Sequence, residues 1–282
     1  MGELALAKDL TLLRPEVIGD SDSLEALQRA KPDLGVVVAF GQFIPKPIRC
    51  LPSLGYLINA HASLLPKYRG ASPVAQAILD GEKRTGVSIM RVEREMDAGP
   101  VALTRSIEIG EEETTGELTD RLAALAAEAL LEALDAIAED QAPWTEQDPA
   151  LASLAPKIAR ADGRIDWKRD TATCVRRIHA MAPRPGAFTR LPDEGDDGAG
   201  LRILRARPYA GSAKDAPQPG QIRLADQPDA PPLRIGTADG WLVPLEVQRP
   251  GGKAMDPAAF LRGYPLQETN LLAGTTAKKD EA

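Results

Sequence analysis

Three consecutive valines sit inside the run Asp33-Leu-Gly-Val-Val-Val-Ala39 and leave this stretch few ways to fold. β-branched side chains lose rotamer freedom in a helix but pack well on a pleated surface. The run follows a helical pattern from Ser23 to Ala30 and has no polar alternation. It reads as a strand buried on both faces of a parallel sheet, central and not at an edge. A second apolar run, Tyr56 to Ala60, follows a turn-rich connection holding Pro45, Pro47, Pro52 and Gly55, and a third, Val87 to Val92, alternates like a half-covered strand. Between them Ser72-Pro73 opens a helix to Leu79, with Ser as N-cap, Pro at the first helical position and Gly81 near the stop. Helices alternating with buried strands predict an α/β domain with a parallel-rich, Rossmann-like sheet.

Thr114-x-x-Glu117 is a capping box, followed by leucine and alanine at three- and four-residue spacing, so a long helix is expected from Thr115 to Ala138. The Asp-, Gln-, Pro- and Ala-rich stretch after it has no clear period and reads as a linker over the surface. Beyond it come a helix from Ala172 to Met181 and short strand-like segments at Leu201–Ala206, Gln221–Leu224, Leu233–Gly236 and Trp241–Val247, which predict a small β-barrel. The division is therefore residues 1–140, a linker at 141–160, a barrel domain at 161–274 and a frayed tail at 275–282.

At 43% apolar residues, the chain can bury cores for two ordinary domains. Its longest apolar stretches are too short or too interrupted by Glu to span a bilayer. The first twenty residues carry Glu3, Lys8, Asp9 and Arg14 and lack a signal-peptide core, so the default is a cytoplasmic protein with no membrane partner. Cys50 and Cys174 show no Cys-x-x-Cys spacing and are expected as buried, reduced thiols. Charge is uneven: residues 1–160 hold 16 Lys+Arg against 25 Asp+Glu, and residues 161–282 hold 18 against 16. The second part tolerates a polyanion that the first would repel, although domains differ by this much with no partner involved.

The densest chemistry lies in Asn59-Ala-His61-Ala-Ser63-Leu-Leu-Pro66-Lys-Tyr-Arg69-Gly70, at the end of an expected strand. Asn59 and His61, one residue apart, share a face of an extended segment and are placed to converge as two donors on one substrate oxygen. Open α/β sheets bind ligands beyond the carboxyl ends of their strands. Taken singly, an Asn at a strand end is ordinarily a turn former, and a His ordinarily a satisfied hydrogen-bonding residue. Asp97, in Met96-Asp97-Ala98-Gly99-Pro100, reads on its own as a turn residue. Phe40-Gly41-Gln42-Phe43-Ile44-Pro45-Lys46 mixes apolar side chains with Gly, as a loop wrapping a flat heterocycle would, or as an ordinary strand-to-helix turn.

Together these segments resemble the folate-dependent formyltransferase superfamily, with its Asn-x-His-x-Ser-Leu-Leu-Pro stretch and an Asp some thirty-odd residues later. Ser63 to Pro73, Gly86-Val-Ser-Ile-Met90 and Asp97-Ala-Gly99 are similar to the branch acting on methionyl-tRNA more than to the purine-pathway branch. The likeness continues through Lys157-Ile158, Arg164-Ile-Asp166-Trp167, Arg177-Ile-His-Ala-Met-Ala-Pro183, Pro185-Gly-Ala-Phe188, Pro219-Gly220 and Gln248-Arg-Pro-Gly-Gly-Lys253-Ala-Met255, and implies an oligonucleotide-binding-fold-like second domain.

The resemblance implies attack by the amine of methionyl initiator tRNA on the formyl carbon of 10-formyltetrahydrofolate, in translation initiation. Asn59 and His61 would stabilise the oxyanion, and an Asp97 carboxylate would favour the imidazolium and help move the amine proton. Folate would lie against Phe40, Gly41, Gln42, Phe43, Ile44, Ser63, Leu64, Leu65 and Pro66, with Ser63 shaping the loop. Lys67, Arg69, Arg176, Arg177, Arg205 and Arg207 are candidates for tRNA phosphate contacts, each otherwise a solvated surface charge. No metal is needed, and a monomer is expected.

Two departures stand out. The family's catalytic domain opens with a strand, a helix, a second strand and a basic loop reaching the tRNA acceptor end, whereas Met1 here falls after them, so the domain is expected to be truncated with an exposed sheet edge. Pro183-Arg184-Pro185 also lacks the aromatic residue that usually separates these prolines. The other readings are a sugar-nucleotide formyltransferase, a formyltetrahydrofolate hydrolase and a non-catalytic RNA-binding remnant.

Overall fold

A computed structural model describes residues 2–191, 200–210, 217–227 and 229–268. In chain order these form α1 (Gly2–Ala7), α2 (Ser21–Ala30), β1 (Gly35–Val37), α3 (Lys46–Arg49), β2 (Leu57–His61), α4 (Pro73–Leu79), β3 (Arg84–Arg91), β4 (Val101–Glu108) and α5 (Thr115–Ala138). They continue with α6 (Thr171–Met181), β5 (Ala187–Thr189), β6 (Leu201–Pro208), β7 (Ile222–Leu224), β8 (Leu233–Gly236), β9 (Trp241–Gln248), β10 (Ala254–Met255) and α7 (Pro257–Gly263). Two compact units result: a first of residues 1–69, 86–105 and 125–153, and a second of residues 70–85, 106–124 and 154–282. Among the described residues no helix is long and apolar enough to cross a membrane. The tail expected at 275–282 lies outside the described residues.

The first unit is built on a mixed sheet of order β1-β2-β3-β4. β2 runs parallel to β1, with Val37 opposite Asn59, and antiparallel to β3, with Asn59 opposite Met90 and His61 opposite Ser88. The valine run is not the central strand expected from its composition. Among the described residues β1 pairs with β2 alone, and Val36 and Val38 are 46% and 52% exposed. Such a run shows that a strand forms; the neighbours that decide its burial lie elsewhere in the chain. β3 corrects the opposite error, since Thr85 to Met90 are all buried where a half-covered strand was expected. Gly86 lets that strand sit close to its neighbour: a Cβ there would stand 2.0 Å from the Arg105 carbonyl oxygen.

The stretch expected as a surface linker is divided between the units, and residues 141–153 are built into the first. Thr145 and Val101 exchange two backbone hydrogen bonds of 2.8 and 2.9 Å. Cys50 is exposed, not buried, although Ile48 and Pro52 beside it are covered; Cys174 is buried, and burial raises its thiol pKa to about 12.

In the second unit a sheet of order β5-β6-β9-β8-β7, with β10 beside β9, packs against α6. Among the described residues no ladder joins β7 back to β5, so this is an open sheet and not the closed barrel expected from the strand spacing. Its core holds Ile165, Trp167, Ile178, Leu201, Ile203, Leu233 and Leu242, all within 1% of full burial. Trp167 also donates its Nε1 hydrogen to Thr189 Oγ1 at 3.0 Å. The α5 capping box forms as expected: Glu117 accepts the Thr114 N–H at 2.9 Å, a bond that lowers its carboxyl pKa, and Thr114 Oγ1 accepts the Glu117 N–H at 3.4 Å. Ser72 departs from its expected role. Its hydroxyl does not cap α4 but accepts the Ile158 N–H at 3.2 Å.

Candidate active site

Strand alternation puts Asn59 and His61 on one face of β2, as their spacing requires. Asn59 is half-buried, and His61 is buried at the strand's carboxyl end. His61 Nε2 lies 2.8 Å from the Tyr68 carbonyl oxygen. A carbonyl can only accept, so Nε2 carries the hydrogen and Nδ1 is left to exchange a proton. Nδ1 faces Asp97 Oδ2 at 3.6 Å, with both side chains largely shielded. That separation is an ion-pair contact, longer than a hydrogen bond, and such contacts commonly tighten in a substrate complex. Both ring nitrogens therefore face protein groups. On the same strand face Asn59 stands two residues before this His61–Asp97 pair.

The loop after β2 is held by a compact set of bonds. Ser63 is fully buried; its hydroxyl donates to the Lys67 carbonyl at 2.6 Å, and its own carbonyl accepts the Ser88 hydroxyl at 2.8 Å. Ser88 Oγ also accepts the Leu65 N–H at 3.1 Å, so one β3 side chain fixes both ends of this bend. Ser63 is thus committed to the shape of the loop, with no face of it open to solvent.

The turn bearing Asp97 is pinned from another direction. Asp97 has φ 52°, a left-handed conformation. A Cβ on Gly99 would come within 2.1 Å of the Arg91 carbonyl oxygen, so the turn needs glycine where it crosses β3. Gln147 donates its side-chain amide hydrogens to the carbonyls of Asp97 and Gly99, at 2.7 and 2.8 Å. Its carbonyl oxygen accepts from Arg69 Nε and Nη2 at 3.1 and 2.9 Å. Nearby, the Arg91 guanidinium lies 4.2 Å from the ring centres of both Tyr56 and Trp144, whose own centroids are 5.6 Å apart edge to face.

Of the folate-loop candidates, Phe40 and Phe43 are 44% and 72% exposed, and an added Cβ on Gly41 would meet nothing within 4 Å. Accessible rings flanking open space suit a flat ligand. Gln42 is committed to the protein, donating to the Glu16 carbonyl at 3.1 Å and accepting the Ile18 N–H at 2.8 Å. Ile44, Leu64, Leu65 and Pro66 are half-buried.

The basic candidates separate. Arg69 is buried against Gln147 and Glu95, so it is not a surface phosphate contact. Arg176 donates to the Leu79 carbonyl and Thr173, Arg177 to the Asp162 carbonyl, and Arg205 to the Glu112 carbonyl and Glu117, which leaves these cations tied to their own unit. Lys67 and Arg207 are exposed.

Ser88 and Gln147 were not singled out by sequence. Ser88 left a signal, a hydroxyl set between the apolar Val87 and Ile89. Gln147 left none, because its polar segment has no period and its partners lie 50 and 78 residues away.

A family model for formyl transferase matches residues 4–134, and one for the formyl transferase C-terminal domain matches residues 157–265. The methionyl-tRNA formyltransferase of Pelobacter propionicus is 38% identical over 277 residues, spanning 98% of this chain and 83% of that protein. The methionyl-tRNA formyltransferase of Roseiflexus castenholzii is 41% identical over 273 residues, spanning 96% and 83%. Among solved structures, HypX from Aquifex aeolicus in complex with tetrahydrofolic acid aligns with a TM-score of 0.62 at 23% identity, over 89% of this chain and 44% of that one. The sugar 3N-formyl transferase WlaRD, solved with dTDP and 5-N-formyl-THF, aligns with a TM-score of 0.62 at 15% identity, over 86% and 80%. At these identities the solved structures speak for the fold alone.

Proposed function

The chain belongs to the methionyl-tRNA formyltransferase family, and we propose that it moves the formyl group of 10-formyltetrahydrofolate onto the free amine of methionyl initiator tRNA, in the cytoplasm. The observation that carries this reading is the pairing of Asn59 on β2 with a His61–Asp97 contact at 3.6 Å, at the end of that strand. The amine attacks the formyl carbon and the carbonyl oxygen becomes an oxyanion. Asn59 donates to that oxygen from a half-buried position where the bond is stronger than in water. His61, with Nε2 fixed by Tyr68, exchanges its proton at Nδ1, and the Asp97 carboxylate stabilises the imidazolium that results. The amine proton then has a route toward the departing folate nitrogen.

The donor lies against Phe40, Phe43 and the half-buried Leu64–Pro66 bend, with its flat ring on the accessible aromatic faces. Lys67 and Arg207 are each exposed, and in this reading each meets a tRNA phosphate, a contact that adds affinity that salt weakens.

The test is formyl transfer from 10-formyltetrahydrofolate to charged initiator tRNA, comparing the chain with Asn59→Ala, His61→Ala and Asp97→Ala. Loss of one oxyanion donor at Asn59 is expected to lower kcat by about 10²–10³. A folded chain that formylates an amino sugar nucleotide and not the tRNA would overturn the substrate assignment. Variants as active as the parent would overturn the site.

A further inference from the structure

We infer that Gln147 is a positioning residue for formyl transfer, fixing the turn that holds Asp97 against His61; the inference rests on the function proposed above. Four hydrogen bonds saturate its side chain: two donated to the carbonyls of Asp97 and Gly99, and two accepted from the Arg69 guanidinium. A side-chain amide has two donor hydrogens and one oxygen with two lone pairs, so every site is filled. Both ends of this clamp are anchored. Arg69 is buried and its backbone N–H donates to the Ser153 carbonyl at 2.8 Å, while the Tyr68 N–H donates to Ser153 Oγ at 2.9 Å. Tyr68 is the residue whose carbonyl receives His61 Nε2–H. The segment carrying Gln147 and Ser153 thus reaches both partners of the imidazole: the Tyr68 carbonyl on one side and the Asp97 turn on the other.

The turn needs such a hold. A non-glycine residue in the left-handed region keeps that conformation when its surroundings over-determine it, and Asp97 at φ 52° has its own carbonyl engaged by Gln147. With the donors to residues 97 and 99 removed, the hold that keeps the Asp97 carboxylate beside Nδ1 is weakened. A shift of about 1 Å in a catalytic group costs up to about a hundredfold in rate.

Gln147→Glu separates positioning from mere folding. Its carboxylate keeps, and strengthens, the acceptor for Arg69, but both donors to the turn are replaced by oxygens that repel the two carbonyls. The expected result is a kcat lowered about ten- to a hundredfold with KM for both substrates within about twofold, since the lost geometry acts in the transition state. The chain contains two histidines, His61 and His179, so imidazole ¹⁵N signals report the two places separately. His61 signals should move in Gln147→Glu while those of His179 stay. Gln147→Leu, which lacks donors and acceptor alike, should move the same His61 signals and also lower the melting temperature.

An active Gln147→Glu chain with parental kcat, or variants whose His61 signals stay in place, would overturn the inference. Movement of both histidines together would also overturn it, by showing a general structural role. A parent chain that transfers no formyl group would remove the transferase reading instead, and the His61 signals would still decide whether Gln147 holds the turn.

Discussion

The two units place their apolar side chains in opposite ways. Among the described residues, of the bulkiest fully buried side chains only Ile58, Ile89 and Met90 belong to the first unit, while Trp167, Ile178, Leu201, Ile203 and others fill the second. Among the described exposed large apolar residues the distribution reverses: all but Leu154, from Leu4 in α1 to Leu151, belong to the first unit. Both units bury polar groups, Thr171, His179 and Thr237 among them in the second, but in the first His61, Ser63, Arg69 and Ser88 are gathered around the β2 end, each with named hydrogen-bond partners. Packing resists deformation in all directions, whereas a hydrogen bond fixes one atom along one line. The unit with the thinner core can therefore hold reactive groups to defined positions, and the unit with the thicker core supplies more of the resistance to unfolding.

Four measurements would break or sharpen this contrast. Trp167→Ala in the second unit should have the largest effect, a loss of about 3–5 kcal/mol in denaturant unfolding, since it empties a fully buried site. A loss below about 1 kcal/mol would erase the difference between the cores. Ser88→Ala in the first unit should cost less, about 1–3 kcal/mol, because it strands the Leu65 N–H and the Ser63 carbonyl without opening a large void. Unlike the tryptophan change, it should also lower kcat, because it loosens the loop after β2; unchanged kcat would detach that loop from the chemistry.

A smaller effect should follow pH. Burial lowers the pKa of His179 below its ordinary 6.5, and its Nε2 accepts the Ala206 N–H at 3.3 Å, which requires that nitrogen unprotonated. The unfolded chain then takes up the proton first as pH falls, so the contribution of His179 is complete above pH 6.5 and is lost progressively below it. Melting curves between pH 6.5 and the carboxylate range should show this slope in the parent and a flatter one in His179→Gln. An unchanged slope would assign the acid sensitivity to other groups. The smallest effect belongs to Val36→Thr on exposed β1, expected within about 0.5 kcal/mol of the parent. A larger loss would mean that this strand is packed more tightly than its exposure indicates.

Local rules made much of this molecule legible. α5 runs from Thr115 to Ala138 as its capping box and helical spacing place it, because such a signal lies within one turn of the boundary it sets, and α6 runs one residue longer than the helix expected from Ala172. The shared face of Asn59 and His61 followed from strand alternation alone. What failed was whatever depends on distant neighbours. The valine run could announce a strand but not its place at the sheet edge, and Arg69 could announce a charge but not the Gln147 that buries it. The short helices α1, α3 and α7 also escaped, having too few residues for a period to emerge.

The stacking of Arg91 between Tyr56 and Trp144 gives the molecule an optical gauge. Trp144 is half-buried and lies three residues before Gln147, whereas Trp167 and Trp241 are buried in the second unit. Indole emission depends on the polarity and charge beside the ring. In a Trp167→Phe/Trp241→Phe background, the remaining fluorescence would come from Trp144 alone. Its colour would then follow, without any attached label and on the timescale of stopped-flow mixing, whether the segment that frames the Asp97 turn stays seated while substrates arrive and products leave.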